Sequence, residues 1–163
     1  DECETTPGHV LGAYHVLEYR DWTHAVALDA EGRIVLVRQY RHGYGGLSLE
    51  LPGGMMDPGD ADAAAAAARE LEEETGYVAP SIRHVAALSP NPATHANRLH
   101  VALAEGVTPT GRRHLDGSEA IEIELLSVAE AVRLALSGGM IQAMHVGLMM
   151  IGLNAAGRLK GAL

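Results

Sequence analysis

Phenylalanine is absent from this 163-residue chain, and aromatic residues make up only 4% of it. The core must therefore be assembled from Val, Leu, Ile, Met and Ala. Hydrophobic content of 47% is ample for one domain, and the length is short for two. We read one domain over 1–163, with 1–12 as a loose lead-in. Cysteine occurs once, as Cys3, which excludes an intramolecular disulfide and a cysteine-based metal site. Basic residues are scarce, 12 Lys and Arg against 21 Asp and Glu, for a net charge of −9. That balance argues against broad electrostatic binding to nucleic acid or to an anionic membrane. No apolar run suits a membrane span, because Met140–Ala156 is short and interrupted by Gln142, His145 and Asn154. No secretory leader is evident, and the cytoplasm is the expected location. The nine histidines show no paired spacing of the kind that places zinc ligands on a helix.

What the chain does have is concentrated in Leu51–Tyr77, LPGGMMDPGDADAAAAAARELEEETGY. A glycine-proline loop leads into an alanine-rich helix, capped by Asp60 or Asp62 and stopped by Gly76. Its expected apolar face is Ala64, Ala67, Ala68 and Leu71. Four carboxylates crowd its end. At about 100° per residue, Glu70, Glu73 and Glu74 share one face and Glu72 points away. Each close like-charge pair costs about 0.2–0.5 kcal/mol in an isolated helix, and the macrodipole disfavours negative charge at a C-terminus. Both penalties point to a bound cation, hard and oxygen-loving, Mg²⁺ or Mn²⁺. Arg69, four residues before Glu73, is placed to orient a carboxylate. The alternative reading is a solvated acidic helix face.

Around this stretch the pattern predicts strands at Tyr14–Tyr19, Trp22–Leu28, Arg33–Tyr40, Leu47–Leu51, Ser81–Ser89, Arg98–Ala104 and Ile121–Leu126. Gly106–Ser118 has no periodicity and is expected to be a loop. Helical spacing covers Val128–Ser137 and Met140–Ala156. Strands interspersed with a few helices give an α+β class.

The run Gly54…Asp60…Arg69-Glu70-Leu71-Glu72-Glu73-Glu74-Thr75-Gly76-Tyr77 resembles the Nudix box, G-x5-E-x7-R-E-U-x-E-E-x-G-U. The second half matches at every specified position. In the first half Asp60 replaces Glu, and one extra residue separates it from Arg69. The resemblance implies an α/β/α sandwich around a mixed sheet and hydrolysis of a nucleoside diphosphate linked to another group. It further implies metal ligation by Glu70, Glu73, Glu74 and the carbonyl of Gly53, with Arg69 orienting the cluster. Arg20-Asp21-Trp22, Val37–Gly43 (VRQYRHG) and Glu50–Gly54 (ELPGG) look like the ADP-ribose and nucleoside diphosphate sugar branch, as does Pro92 downstream of the box.

In that branch the general base lies on a loop before a late strand. Glu119 is the first choice, with Asp116 and Glu122 in reserve. Arg20 and Arg41 suit the base or phosphates of a substrate, Glu50 would support the site, and His95 is a candidate contact. The expected reaction is metal-dependent cleavage of a pyrophosphate bond, giving a nucleoside monophosphate and a sugar phosphate. GDP-mannose, dinucleoside polyphosphates and oxidised nucleotides are the alternative substrates, and a silent nucleotide-binding regulator is the alternative class. The resemblance also implies a homodimer.

Overall fold

The computed structural model describes residues 3–5, 8–111, 113 and 120–160. Within the lead-in, β1 (Cys3–Thr5) and β2 (His9–Leu11) pair as a small antiparallel sheet of their own. The main sheet has eight strands: β3 (Trp22–Asp29), β4 (Arg33–Arg41), β5 (Gly46–Glu50), β6 (Gly53–Met55), β7 (Tyr77–Val78), β8 (Ile82–Leu88), β9 (Leu99–Pro109) and β10 (Ile121–Ser127). Its path runs β10-β4-β3-β9-β7, with β5 on β4, β6 on β3 and β8 on β9. Only the β3–β9 pair is parallel, so the sheet is mixed.

Both faces are covered, which explains why β3 and β4 read as near-continuous apolar runs rather than alternating ones. One face of β3, β4 and β9 presents small residues, Ala25, Ala27, Val35, Ala102 and Ala104, to helix α1 (Ala63–Thr75). The other face presents Val26, Leu28, Ile34, Leu36, Val101 and Leu103 to α2 (Val128–Leu136) and α3 (Ala143–Ala155). Without phenylalanine, the layers close by approaching one another. A Cβ on Gly152 of α3 would lie 2.4 Å from Cγ2 of Val26. The result is the expected α+β sandwich, helices on either side of a mixed sheet.

Local chemistry sets the ends of α1. The Asp62 carboxylate accepts from the N–H groups of Ala64 and Ala65, at 2.9 and 2.8 Å. Gly76 closes the helix at φ 69°, its N–H donating to the Glu72 carbonyl. The buried stripe is Ala63, Ala66, Ala67, Leu71, Glu74 and Thr75. Ala64 and Ala68, expected on the apolar face, are only half-buried. The helix is rolled because its packed stripe continues into Glu74 rather than ending at Leu71.

Two other expectations change. Tyr14–Tyr19 forms no strand. Leu17 makes a single bridge to His95, and Tyr14, Val16, Leu17 and Tyr19 stay exposed, so no apolar face holds the segment in an extended ladder. Conversely, β9 continues through Gly106 to Pro109, because the two residues after the helix stop, Tyr77 and Val78, pair with Pro109 and Thr108. The remainder of the expected loop at 106–118 lies largely outside the described residues. No helix among the described residues is long and apolar enough to cross a membrane.

Candidate active site

The loop Leu51-Pro52 turns the chain so that β6 lies antiparallel against β3, with His24 opposite Gly53 and Thr23 opposite Gly54. Glycine is required twice here by close approach. A Cβ on Gly53 would lie 2.2 Å from the Thr23 carbonyl oxygen, and one on Gly54 2.7–2.9 Å from the Glu70 carboxylate. The helix therefore lays its glutamates directly on the glycine loop. They border a cleft of about 1040 Å³, walled also by β4, β5 and the start of α3.

Arg69 organises the glutamate face. Nη1 donates to Glu70 Oε1 at 3.0 Å and to Glu73 Oε2 at 2.9 Å, and Nη2 donates to the Met55 carbonyl at 3.1 Å. Nε and Nη2 also grip Asp60 in a bidentate pair at 3.1 and 3.0 Å. These bonds, Asp60 first, raise the pKa of the guanidinium further. They lower that of Asp60, whose Oδ2 also accepts from the Asp57 N–H at 2.7 Å. Asp60, which replaces the glutamate of the box pattern, thus has a structural role: it anchors the arginine.

The three glutamates have different environments. Glu70 is largely buried, and burial raises its pKa despite the opposing pull of Arg69. Glu73 is the most open, 40% exposed. Glu74 is buried, with Oε2 accepting from the Gly53 N–H at 2.9 Å. Arg113, which belongs to no motif in the sequence, donates from Nε to the Glu74 carbonyl at 2.9 Å and from Nη2 to the Ile121 carbonyl at 2.8 Å. The helix has no basic residue in its last turn, so this distant arginine supplies the cation that the macrodipole favours there.

A second buried group forms the cleft floor. Glu50, 1% exposed, accepts from Arg41 Nε at 2.9 Å and Nη2 at 2.5 Å. Burial alone would raise its pKa; the Arg41 fork outweighs that and holds it below the ordinary value. His145 Nδ1 accepts from the Leu51 N–H at 2.9 Å, so its proton is on Nε2, 3.6 Å from Glu50 Oε2. The His24 ring meets His145 edge-on, centroids 4.5 Å apart. Burial depresses both imidazoles, to about 3 for His24 and about 4 for His145, so both are neutral.

The cleft gathers most of the expected site residues. Arg20, Arg41, Glu50, Gly53, Arg69, Glu70, Glu73 and Glu74 all line it. Arg20 Nη1 donates to Asp57 at 2.9 Å at the mouth. His95 does not line it. Its ring stacks on Tyr19 and meets the edge of Trp22, which does line the cleft. Glu119 and Asp116 lie outside the described residues, and Glu122 is exposed on β10 opposite Arg38. Trp22, Gln39 and Tyr44 also line the cleft and belong to or adjoin motifs already singled out. His24 and His145 gave no signal, because each is isolated in sequence.

The donor set of Glu70, Glu73, Glu74 and the Gly53 carbonyl is all oxygen and suits a hard dication. Among the described residues no three acidic, histidine or cysteine side chains converge as a ready cage. Glu70 and Glu73 are instead drawn to Arg69.

The profile of the NUDIX domain matches residues 19–145. The chain belongs to the Nudix hydrolase family. It is 33% identical over 141 residues to an ADP-ribose pyrophosphatase of Mycobacterium tuberculosis, a match covering 86% of this chain and 68% of the relative. It is also 33% identical over 113 residues to an ADP-ribose pyrophosphatase of Bacillus subtilis, covering 69% of this chain and 60% of that one. The fold matches a solved ADP compounds hydrolase with TM-score 0.77 at 22% identity, over 96% of this chain and 85% of the other. The expected enzyme class, a Nudix pyrophosphohydrolase, stands on these matches.

Proposed function

We propose that the cleft hydrolyses the pyrophosphate bond of ADP-ribose or a related nucleoside diphosphate sugar, with Mg²⁺ or Mn²⁺, to a nucleoside monophosphate and a sugar phosphate. The observation that carries this reading is the glutamate face, Glu70, Glu73 and Glu74, laid on Gly53–Gly54 in a cleft that also presents Arg20 and Arg41. Similarity to two ADP-ribose pyrophosphatases supports the substrate class. A divalent cation held by these glutamates and the Gly53 carbonyl would neutralise phosphate oxygens and acidify a water. Arg69 keeps Glu70 and Glu73 in register. Arg41, held in place by Glu50, brings a planar guanidinium to the cleft wall, a group suited to phosphate oxygens. Arg20, half exposed at the mouth, reaches the nucleoside end by exchanging Asp57 for substrate. Glu119 remains the proposed base, and Glu119→Gln should lower kcat more than it changes KM.

The same reading has a single-domain enzyme working as a homodimer in the cytoplasm, with exposed Tyr14, Val16, Leu17 and Tyr19 as contact surface. The test is product release from ADP-ribose, other nucleotide sugars, dinucleotides and triphosphates, with Mg²⁺, Mn²⁺ or chelator. Metal-dependent AMP formation from ADP-ribose supports the proposal. Preference for another member changes the substrate, and binding without turnover on any of them overturns hydrolysis in favour of a nucleotide-binding regulator.

A further inference from the structure

Away from the cleft, the edge strand β8 and its neighbour β9 bring two histidines together. Nε2 of His84 lies 3.1 Å from Nδ1 of His100, and Nε2 of His100 lies 3.0 Å from Oδ2 of Asp21. None of the three lines the cleft. The ladder is irregular beside this pair. His84 is opposite Ala102, but the register then shifts across Val85, so that Ala87 is opposite His100. Such a bulge re-aims the side chains beside it.

We propose that His84 and His100, backed by Asp21, form a binding site for a borderline transition-metal dication such as Zn²⁺ or Ni²⁺, separate from the carboxylate cleft.

The protonation pattern follows from the bonds. Asp21 is fixed: its Oδ1 accepts from the Arg98 N–H at 2.7 Å, and its carbonyl accepts from the Met56 N–H at 2.9 Å. Burial tends to raise its pKa, but the Arg98 and His100 hydrogen bonds outweigh that and keep it below the ordinary value. An ionised carboxylate only accepts, so His100 carries its proton on Nε2 and directs the Nδ1 lone pair at His84. A single proton, on His84 Nε2, then bridges the two rings. A dication takes its place by accepting both nitrogen lone pairs, His84 changing tautomer so that its proton moves to Nδ1 and both rings stay neutral.

The spacing is close to what ligation requires. Two imidazole nitrogens at about 2.1 Å from one tetrahedral ion are about 3.4 Å apart. His84 is exposed on an edge strand and free of packing that would resist a small swing. A carboxylate hydrogen-bonded to the far nitrogen of a ligating histidine is the usual outer-shell partner, fixing the tautomer and strengthening the donor. Nitrogen donors select against hard Mg²⁺. No third acidic, histidine or cysteine ligand joins them among the described residues, so water completes the coordination and the site is weaker than a four-ligand structural one.

The test is calorimetric titration of the intact protein with Ni²⁺ in a large excess of Mg²⁺, which competes for the carboxylate cleft. One-site uptake is expected, weakened at least tenfold in His84→Ala and in His100→Ala, and about tenfold in Asp21→Asn. Glu74→Gln should leave the uptake unchanged. Substoichiometric Ni²⁺ should broaden the imidazole resonances of His84 and His100 together, ahead of the other histidines. Absence of uptake, or a His84→Ala protein that binds as well as the original, overturns the site. Because His84 is exposed, that variant stays informative even if replacing His100 disturbs the sheet.

Discussion

Arg69 holds Asp60 through two parallel hydrogen bonds, 3.1 and 3.0 Å, while its remaining donors hold Glu70, Glu73 and the Met55 carbonyl. The guanidinium is thus the joint between the loop after the glycines and the helix that carries the glutamates. Asp60→Asn removes the charge of its anchor but keeps the shape. We expect a stability loss of about 1–3 kcal/mol, as for other bonds to charged groups, and kcat lowered more than KM. Asp60→Glu with deletion of one alanine from Ala63–Ala68 restores the common spacing and should recover the wild-type rate. Thermal melts and steady-state kinetics read both, and an Asp60→Asn enzyme indistinguishable from wild type would show that Arg69 needs no anchor.

Glu74→Gln separates metal function from fold. Glu74 is buried and accepts the Gly53 N–H, a bond that the glutamine carbonyl oxygen can still accept. The folded state should therefore survive. Turnover should fall about a hundredfold or more, since the charge that would hold the cation is gone and metal contributes several kcal/mol to such transition states. Near-normal rates with Mg²⁺ would sink the metal assignment for this residue.

The acid limb of stability should begin at the histidines. His24 and His145 are held at about 3 and about 4 in the folded state, from an ordinary value of 6.5. Their folded pKa values are depressed, so between pH 6.5 and about 4 the unfolded chain binds more protons and stability falls with pH. The slope approaches about 1.4 kcal/mol per pH unit for each histidine. Glu50, also lowered, adds its own loss only as pH drops below its ordinary 4.5. Urea melts from pH 7 to 5 should show the decline, and His145→Gln should flatten it while keeping an acceptor for the Leu51 N–H. A wild-type profile flat to pH 5 would contradict the neutral histidine pair.

How much of this was legible beforehand depended on whether the signal was local. The glutamate face, the Asp62 and Gly76 caps and strands β3, β4 and β10 follow from spacing within one element. The cleft floor does not. His24 and His145 meet only because α3 crosses β3, and Arg113 reaches the Glu74 carbonyl across 39 residues. Such contacts are made by topology and leave no periodic trace. Tyr14–Tyr19 shows the converse: its residues favour a strand, but with no apolar face to bury they make one bridge. The crowded acids, read as the sign of a bound cation, also meet cations of the protein itself, because Arg69 bonds Glu70 and Glu73 and Arg113 bonds the Glu74 carbonyl.

Two glycines of α3 should respond oppositely to alanine. Gly147 faces open space, with nothing within 4 Å of where a Cβ would sit, whereas a Cβ on Gly152 would lie 2.4 Å from Cγ2 and 2.7 Å from Cβ of Val26. Gly147→Ala gains helix propensity and loses nothing, so stability should rise by about 0.4–1 kcal/mol. Gly152→Ala makes the same gain, but against it stands a clash with a branched side chain buried in a strand. Val26 has no flexible end to move aside, so the helix must lift from the sheet, and overpacking of this kind costs about 1–3 kcal/mol. The clash should outweigh the propensity. Val26→Ala in the Gly152→Ala background opens the required space, so the two changes together should be less destabilising than their sum. Denaturant melts of the wild type, the two single variants and the double variant decide it: additive effects would mean that α3 is not seated on β3 through this contact.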